Sequence, residues 1–325
     1  MKEPSTSVKI YAGYGHTHDL VLYGHVFSNK PVIQRHYTKR VLVNIIHLLR
    51  LFFVKPLPAA RVRLYWQQQQ VESQTEDDGF FKFEWKSEQE ISAGWYPVKV
   101  AHLDGAGQVL AESEGQLYVP HSTQYIFVSD IDDTVMVSYS ATKIRRLKEL
   151  LFRNPRTRKQ FENVADWYQQ LANAGTTKEV PNPFFYVSSS EWNLYDYLQE
   201  FFQFNKLPRG IFLLNQVKRW FQFFKTGKTS HAGKLLRIVR ILNAFPKQQF
   251  VFIGDNSQQD PSIYSTLATK YPGRIAAIFI RNVRPENEQL ARTYLASAAS
   301  EGVKTLLFKT SEEAAAFSKQ IGLLA

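Results

Sequence analysis

The sequence contains no cysteine and no long uninterrupted apolar run. Without cysteine the chain forms neither disulfides nor thiolate metal sites, so any metal ligands are His, Asp, Glu or backbone oxygens. The N-terminal segment 1–19 lacks the apolar region of a secretory signal. The longest apolar stretch, 41–54, is interrupted by Asn44, His47 and Arg50 and is too short to span a bilayer. We therefore expect a cytoplasmic protein, either soluble or peripheral at a membrane.

The chain has a net charge of +11 at pH 7, and the positive excess is unevenly distributed. Residues 1–120 contain 13 Lys/Arg and 12 Asp/Glu, whereas residues 121–325 contain 27 and 17. Within the second part, residues 201–254 contain ten Lys/Arg and no acid. Such a surface attracts an anionic partner, whether phospholipid, nucleic acid or a small phosphate. Because no RNA- or DNA-binding motif is present, we expect an anionic phospholipid surface and no nucleic acid.

Residues 1–120 have the pattern of a mostly antiparallel β-sandwich. Short segments rich in β-branched and aromatic residues are separated by turn signals such as EDDG and LDGAG. These segments are 21–27, 60–66, 80–85, 96–103 and 115–120. An apolar stretch at 40–54 interrupts the pattern and covers a broad helical face. It predicts an inserted amphipathic helix, either packed on the sandwich or presented to a membrane surface.

In residues 121–325 apolar strands alternate with helices. The predicted strands are 125–130, 184–189, 210–215, 250–255 and 276–282, and they are almost wholly apolar, as a parallel sheet buried on both faces requires. Helical patterns occur at 143–152, 160–174, 192–204, 232–245 and 260–271. The alternation predicts an α/β domain with a doubly wound parallel sheet, in which ligands bind at the carboxyl ends of the strands.

Polar residues follow the predicted strands at that edge. They are the SDIDDT segment at 129–134, the three serines at 188–190, the GDN segment at 254–256 with Asp260, and Lys228, His231 and Lys234 before the fourth strand. Phosphoryl transfer can use a carboxylate nucleophile and a second carboxylate that moves a proton. It also uses a hard cation such as Mg²⁺, and hydroxyl and ammonium donors for the phosphate oxygens. The residues therefore favour a phosphatase.

Several segments of the chain are similar to one enzyme family. DIDDT resembles the first motif of the haloacid dehalogenase superfamily, and residues 124–284 resemble the catalytic domain of the actin-patch-type phosphatidate phosphatases, relatives of the lipins. The resemblance rests on four segments in the right order, at 128–135, 182–198, 207–214 and 234–264. Residues 1–120 also resemble the region that precedes this domain in bacterial members. A haloacid dehalogenase-like fold is therefore expected for residues 121–325.

The resemblance implies roles for individual residues. Asp130 is the expected nucleophile and Asp132 the expected general acid/base. The expected Mg²⁺ ligands are Asp130, Asp255 and the backbone carbonyl of Asp132. The expected phosphate-binding and supporting residues are Ser188, the backbone N–H of Ser189, and Lys234, with Thr134 stabilising the loop and Asp260 orienting the water shell of the metal.

Other residues at this edge receive different interpretations. Asp133 is interpreted as a turn former or helix N-cap, and Lys228 and His231 as solvated surface residues. Lys234 is preferred as the phosphate-binding lysine because it stands eleven residues before Phe245, which is the family spacing. The family usually has His directly before this lysine, whereas here two residues separate His231 from it. Asn256 stands where the family more often has Ser.

The sequence leaves the substrate open. Phosphatidate, hydrolysed to diacylglycerol and phosphate, is the favoured substrate. The alternatives are a phosphatase for a soluble phosphomonoester, and a membrane-binding or scaffold module with little catalysis. The tract at 143–161, with eight Lys/Arg and one Glu, and the basic aromatic tract at 216–228 fit a membrane interface. The tract at 216–228 fits ordinary packing with a solvated basic face equally well, and both tracts could frame the mouth of the active site.

Overall fold

The structure is a computed structural model that describes residues 6–16, 18–29, 41–138, 153–216 and 230–325. The helix predicted at 143–152, Lys228 and, apart from Gln216, the basic aromatic tract lie outside the described residues. In the described part of the chain, no helix combines the length and apolar character needed to cross a membrane.

Eight strands of the N-terminal part form one hydrogen-bonded sheet. They are β1 (Ser7–Ile10), β2 (Gly13–Gly15), β3 (Asp19–Phe27), β4 (Arg61–Trp66), β5 (Gln69–Gln74), β6 (Phe80–Lys86), β7 (Gly94–Leu103) and β8 (Val109–Val119). Their order is β1-β3-β2-β8-β7-β4-β5, with β6 paired to β3. Every pair is antiparallel except β2 with β8. The antiparallel character matches the prediction.

The period-2 alternation of the strands places one face of this sheet in a core. Along β4, Val62, Leu64 and Trp66 are buried, while Arg61 and Arg63 point outward to Glu72 of β5. Apolar residues of β1, β3, β4, β6, β7 and β8 meet in a single cluster. Because β3 pairs with β1 and β2 as well as with β6, the strands form one sheet around this core instead of the two separate sheets of a sandwich.

A helix, α1 (Val41–Phe52), is inserted between β3 and β4, close to the predicted range of 40–54. Leu48 and Phe52 are buried in the core that the helix shares with the C-terminal part. Ile46 and Phe53 are about half exposed. One face of the helix therefore packs on the protein, and the other contains exposed apolar side chains.

The C-terminal part contains a parallel sheet of six strands. They are β9 (Tyr125–Ser129), β10 (Phe184–Glu191), β11 (Ile211–Asn215), β12 (Gln249–Asp255), β13 (Ile275–Arg281) and β14 (Lys304–Phe308). The order is β11-β10-β9-β12-β13-β14, and every pair is parallel. The described helices are α2 (Val164–Ala172), α3 (Tyr195–Phe204), α4 (Ser230–Ala244), α5 (Asp260–Lys270), α6 (Glu288–Ser300) and α7 (Ser311–Gln320). The predicted α/β class with a parallel sheet is confirmed.

The two sheets contact each other next to the carboxyl end of β10. A 3₁₀ turn, Trp192–Leu194, follows that strand, and the Trp192 ring stacks on Tyr11 with ring centres 4.0 Å apart. The backbone N–H of Ala12 donates to the Tyr195 hydroxyl at 3.0 Å. The chain passes from the first sheet to the second between Val119 and Tyr125.

Candidate active site

Strand pairing brings Asp130 and Asp255 together. Asp130 directly follows β9, and Asp255 is the last residue of β12. These strands pair with Ile253 opposite Ser129, and the backbone N–H of Asp130 donates to the carbonyl of Ile253 at 2.8 Å. The sheet order reverses between β9 and β12, which is where ligands bind in open parallel sheets. Both carboxyl groups are buried, as expected for a site and unexpected for a solvated acidic turn.

Asp260, the first residue of α5, completes a cluster of three carboxyl groups. One carboxylate oxygen from each of Asp130, Asp255 and Asp260 lies within 4.8 Å of the other two. A side chain at Gly254 would prevent this arrangement, because a Cβ there would lie 2.4 Å from Oδ2 of Asp260. Gly254 thus leaves space for the side chain of Asp260, and the next residue, Asp255, supplies a carboxylate that can bind a metal.

Lys234, on α4, places its ammonium group inside this cluster. Its Nζ donates to Oδ1 of Asp130 at 2.7 Å and to Oδ1 of Asp260 at 2.5 Å. Its side chain is 2% exposed. Burial disfavours the ammonium charge, but the two carboxylates outweigh burial and raise the pKa of Lys234. The lysine therefore remains charged and neutralises part of the acidic cluster.

One ammonium does not balance three carboxylates in a buried place. Burial raises the pKa of Asp130 well above its ordinary value, Lys234 opposes this, and the charges of Asp260 and Asp255 add to the increase. Burial and the charge of Asp260 raise the pKa of Asp255 to about 7, although the N–H of Ser257 donates to it at 2.5 Å. Holding the carboxylates this close together therefore costs free energy, which a second cation would offset.

The donor set fits a hard divalent cation. All donors in the cluster are carboxylate oxygens, the ligand type that Mg²⁺ prefers. Oδ2 of Asp130 and Oδ2 of Asp255 converge, since each lies 3.4 Å from Oγ1 of Thr134. Oδ2 of Asp260 is buried and has no hydrogen-bond partner in the described structure. Asp130, Asp255 and Asp260 could therefore hold Mg²⁺.

The side chain of Asp132 lies against the second strand end. Its Oδ2 accepts a hydrogen bond from Oγ of Ser190 at 2.7 Å and another from Oγ of Ser188 at 3.3 Å. The backbone N–H of Ser190 in turn donates to Oγ of Ser188 at 2.9 Å. Between Asp130 and Asp132, the side chain of Ile131 is fully buried in the core. The first two aspartates of the motif thus have different environments and different partners.

The sequence pattern assigned no role to Ser190. In the structure, the hydrogen bond from Ser190 to Asp132 is shorter than the one from Ser188. Ser189 is half-buried, and its Oγ is buried without a partner among the described residues. Alternation along β10 is the signal that separates them, because Ser188 and Ser190 share one face of the strand and Ser189 lies on the other.

Asp133 lies in the turn that follows β9. Its φ is 61°, in the left-handed region that Asp tolerates better than most residues. Its Oδ1 accepts a hydrogen bond from the backbone N–H of Ser138 at 2.8 Å, and its own N–H donates to the carbonyl of Met136 at 2.8 Å. These contacts match its interpretation as a turn former.

A buried arginine that the sequence reasoning missed supports the same loop. Nε of Arg281, the last residue of β13, donates to the carbonyl of Thr134 at 3.1 Å, and Nη2 donates to Oγ of Ser311 at 3.1 Å. The guanidinium also lies over the rings of Phe161 and Phe308, at 4.1 and 4.7 Å from their centres. The available signal was a charged residue at the end of an otherwise apolar strand, at the same sheet edge as Asp130.

Asn256 fixes the chain after β13. Its Oδ1 accepts hydrogen bonds from the backbone N–H groups of Val283 and Arg284 at 2.9 Å each. Its Nδ2 donates to Oδ1 of Asn282 at 2.7 Å and to the carbonyl of Arg284 at 2.8 Å. A serine hydroxyl cannot make this set of contacts, which gives a physical reason for the amide here. The side chain of His231, three residues before Lys234, lies outside the described structure.

Residues 125–282 match the model of a protein family described as phosphatidate phosphatase APP1, catalytic domain. The chain is 30% identical over 188 residues to an uncharacterized protein of Schizosaccharomyces pombe, covering 57% of this chain and 30% of that protein. It is 32% identical over 155 residues to phosphatidate phosphatase APP1 of Saccharomyces cerevisiae, covering 47% of this chain and 25% of that protein. The chain thus spans less than a third of the length of these relatives.

Similarity to solved structures is weak. A carbohydrate acetylesterase from Xanthomonas citri aligns with a TM-score of 0.27 and 9% identity, over 87% of this chain and 71% of that one. A β-glucuronidase from Lactobacillus rhamnosus aligns with a TM-score of 0.30 and 9% identity, over 94% of this chain and 54% of that one. Alignments at this level support no conclusion about fold or function.

Proposed function

We propose that this chain is a Mg²⁺-dependent phosphatidate phosphatase that releases phosphate and diacylglycerol, because residues 125–282 match the family model of the APP1-type phosphatidate phosphatase catalytic domain. The observation that supports the reaction best is the contact of Lys234 with Asp130, 2.7 Å long and buried, beside Asp255 and Asp260. A buried carboxylate with a phosphate-binding type of cation beside it suits a nucleophile for phosphorus better than it suits a structural turn.

Asp130 and Asp132 divide the chemistry. A carboxylate oxygen of Asp130 forms a bond to phosphorus, the bond from phosphorus to the diacylglycerol oxygen breaks, and an aspartyl phosphate results. Asp132, protonated at this stage, gives its proton to the departing oxygen. The Asp132 carboxylate then takes a proton from a water molecule that attacks the aspartyl phosphate, which releases phosphate and restores both side chains. The hydrogen bond from Ser190 holds Asp132 in place for both steps, and Ser188 donates to Asp132 only until the phosphate binds.

The other side chains bind the phosphate. Lys234 supplies a positive charge next to Asp130, and a change in its hydroxyl direction allows Ser188 to donate to a phosphate oxygen instead of to Asp132. The backbone N–H of Ser189 is a further donor at the same strand end, and Thr134 orients the loop. Each of these donors lies at the same sheet edge as the carboxylate of Asp130, so a bound phosphate would be held close to the attacking oxygen.

Asp130, Asp255 and the backbone carbonyl of Asp132 are the proposed Mg²⁺ ligands, with Asp260 beside them. When bound, Mg²⁺ offsets the negative charge of the phosphate and of the carboxylates. The raised pKa values of Asp130 and Asp255 are consistent with this assignment, since burial and then the neighbouring carboxylates disfavour their charged forms, and a bound cation would offset both effects.

The strand order supports a haloacid dehalogenase-like, doubly wound domain. In chain order the parallel strands are arranged 3-2-1-4-5-6, which is a common doubly wound order, and the site lies where that order reverses. The positive excess of residues 121–325 supports a lipid substrate and a peripheral position at an anionic membrane surface.

Phosphate release from vesicles that contain phosphatidate tests the proposal. Wild-type protein with Mg²⁺ should release phosphate, and EDTA or the Asp130→Asn substitution should abolish release. Asp133→Asn is the matched control, since the same chemical change three residues away affects only the turn and should leave activity largely intact. Equal activity of wild type and Asp130→Asn would refute the proposed nucleophile. A parallel panel of soluble phosphomonoesters decides the substrate class, because preference for one of them would refute phosphatidate.

A further inference from the structure

Arg237 reaches the end of β10 from the same face of α4 as Lys234. It follows Lys234 by about one helical turn, a spacing that puts the two side chains on one face. Lys234 contacts Asp130 after β9, whereas Nη2 of Arg237 donates to the backbone carbonyl of Ser188 on β10 at 3.2 Å. One helix face therefore places a cationic side chain at each of two neighbouring strand ends.

The regular strand pairing ends before this contact. The last pair of β10 with β9 is at Tyr186, and the register of β10 against β11 shifts between Val187 and Glu191. The three serines lie in this irregular stretch, so strand pairing fixes the direction of their peptide groups less firmly than in a regular ladder. The hydrogen bond from Arg237 fixes the peptide group that begins at Ser188.

This contact determines the direction of a backbone N–H. The carbonyl of Ser188 and the N–H of Ser189 belong to one peptide unit, which is trans. In a trans unit the two groups point in opposite directions. Because Arg237 holds the carbonyl, the N–H of Ser189 points away from the guanidinium. A cationic donor on the carbonyl also polarises the unit, which strengthens the N–H as a donor.

The guanidinium of Arg237 is charged and only partly hydrogen-bonded. Burial lowers the pKa of Arg237 to about 10, and the charge of Arg240 contributes, so the group keeps its proton at neutral pH. Its Nε is buried and has no hydrogen-bond partner among the described residues. An unpaired donor of a buried cation costs free energy. The arrangement therefore suits a positioning role better than a stabilising one.

We propose that Arg237 is a positioning residue that directs the backbone N–H of Ser189 towards the bound phosphate. The inference rests on the proposed function, in which this N–H, Ser188 and Lys234 bind the phosphate. It adds a residue that acts through a peptide group and does not itself contact the substrate. The donor is thus oriented before the phosphate arrives.

Kinetics of phosphate release from phosphatidate vesicles give the first test. Arg237→Met should lower kcat/KM about tenfold, less than the loss of a complete donor, because the N–H remains but is no longer held in one direction. The pH profile of kcat should not move, since the hydrogen bonds of Asp132 are retained. Arg237→Lys keeps a cationic donor and should recover part of the loss. The matched control, Arg240→Met, removes an exposed arginine of the same helix and should behave like wild type.

A second measurement follows the N–H itself and needs no turnover. The protein is labelled with ¹⁵N-serine, and the amide signal of Ser189 is identified by its absence from Ser189→Ala. Inorganic phosphate with Mg²⁺ is the probe. In wild type it should move the amide proton of Ser189 downfield, as a hydrogen bond to an anion does. In Arg237→Met this shift should be largely lost, which a general loss of stability would not cause in a folded protein.

The outcomes separate this inference from the proposed function. The positioning role is overturned if Ser189 shows no shift in wild type, an equal shift in Arg237→Met, or if Arg240→Met loses as much activity as Arg237→Met. A displaced pH profile of kcat in Arg237→Met also overturns it, because the substitution then acts through Asp132.

If Arg237→Met does not fold, as judged by circular dichroism, Arg237→Lys replaces it. Its phosphate-induced shift at Ser189 should be smaller than that of wild type, and an unchanged shift overturns the positioning role. A wild type without phosphatase activity, in which phosphate shifts the Ser189 signal and Arg237→Met loses that shift, refutes the proposed function. The role of Arg237 in phosphate binding then stands.

Discussion

Nζ of Lys234 lies 2.7 Å from Oδ1 of Asp130, and each side chain is only 2% exposed. A buried ion pair of this kind is a weak source of stability, because removing both charges from water costs about as much as their attraction returns. The contact is better explained as preorganisation of the candidate active site. It holds a carboxylate oxygen and a phosphate-binding cation side by side before the substrate arrives.

Lys234→Met tests how strongly the acidic cluster depends on this ammonium. Without it, Asp130 and Asp260 lose the ammonium group that contacts both of them, and the three carboxylates face one another directly. In EDTA the free energy of unfolding, measured in urea, should fall by about 3 kcal/mol or more. Mg²⁺ should restore part of the loss, since it binds the same oxygens. Lys234→Arg retains the charge and should be the more stable of the two variants. A Met variant as stable as wild type in EDTA would contradict the assigned electrostatics.

Stability of the metal-free protein should fall as the pH rises. The pKa of Asp255 is about 7 in the folded protein, and an unfolded aspartate ionises near its ordinary value of 3.8. Between these values the folded state binds a proton that the unfolded state has lost, so the contribution of Asp255 is full below about pH 4 and lost as the pH passes 7. Its size is roughly 4 kcal/mol.

Urea unfolding in EDTA across this pH range measures the effect. The difference between wild type and Asp255→Asn isolates the contribution of this carboxyl group from the other groups that titrate. Added Mg²⁺ should flatten the profile, because it binds the ionised carboxylates and therefore gains affinity as the pH rises. A difference that stays constant from about pH 4 to pH 8 would show that Asp255 is not a perturbed carboxyl group.

The three serines at the end of β10 offer a matched series. Ser190→Ala removes the shorter hydrogen bond to Asp132 and should lower kcat about tenfold, since the side chain of Asp132 is then held less firmly. It should also displace the pH profile of kcat, which a purely structural change would not do. Ser189→Ala should behave like wild type, because the Oγ of Ser189 has no described partner and its backbone N–H is retained. Equal effects of the two substitutions would argue against a role for Ser190 in positioning Asp132.

Arg281→Met should weaken the loop after β9. It leaves the carbonyl of Thr134 and the hydroxyl of Ser311 without their donor and should lower the free energy of unfolding by about 3 kcal/mol. Activity should fall as well, since the position of Thr134 depends on this contact. Arg284→Met is the control, because that side chain pairs with Glu286 at the surface and its loss should change little. Unfolding midpoints and phosphate release for both variants check the expectation.

The parallel sheet was the most predictable part of the fold. Strands such as β9 and β12 are buried on both faces, so their residues are almost wholly apolar and easily recognised. β14 escaped prediction because it lies at the edge of the sheet and is only partly buried. β5 escaped because its sequence, QQVESQ, has no buried side chain and the strand depends on pairing with β4.

The residues of the candidate site that lie at the ends of strands could be predicted from the sequence. Asp130 and Asp255 follow neighbouring parallel strands, so their proximity follows from topology. The direction of the Asp132 side chain, the choice of Ser190 over Ser189 and the contact of Arg281 with Thr134 depend on loop geometry and on partners distant in the sequence. No local pattern specifies such contacts, which explains why they emerged only from the structure.

The central claim, that Asp130 is phosphorylated during turnover, has a direct measurement. Protein mixed with phosphatidate vesicles and Mg²⁺ is quenched in acid, digested, and its peptides are analysed by mass spectrometry. We expect one phosphoryl group on Asp130 in the wild type and none at this position, with no phosphate release, in Asp130→Asn. Sustained release of phosphate by Asp130→Asn, or a phosphoryl group on another residue during turnover, would contradict it.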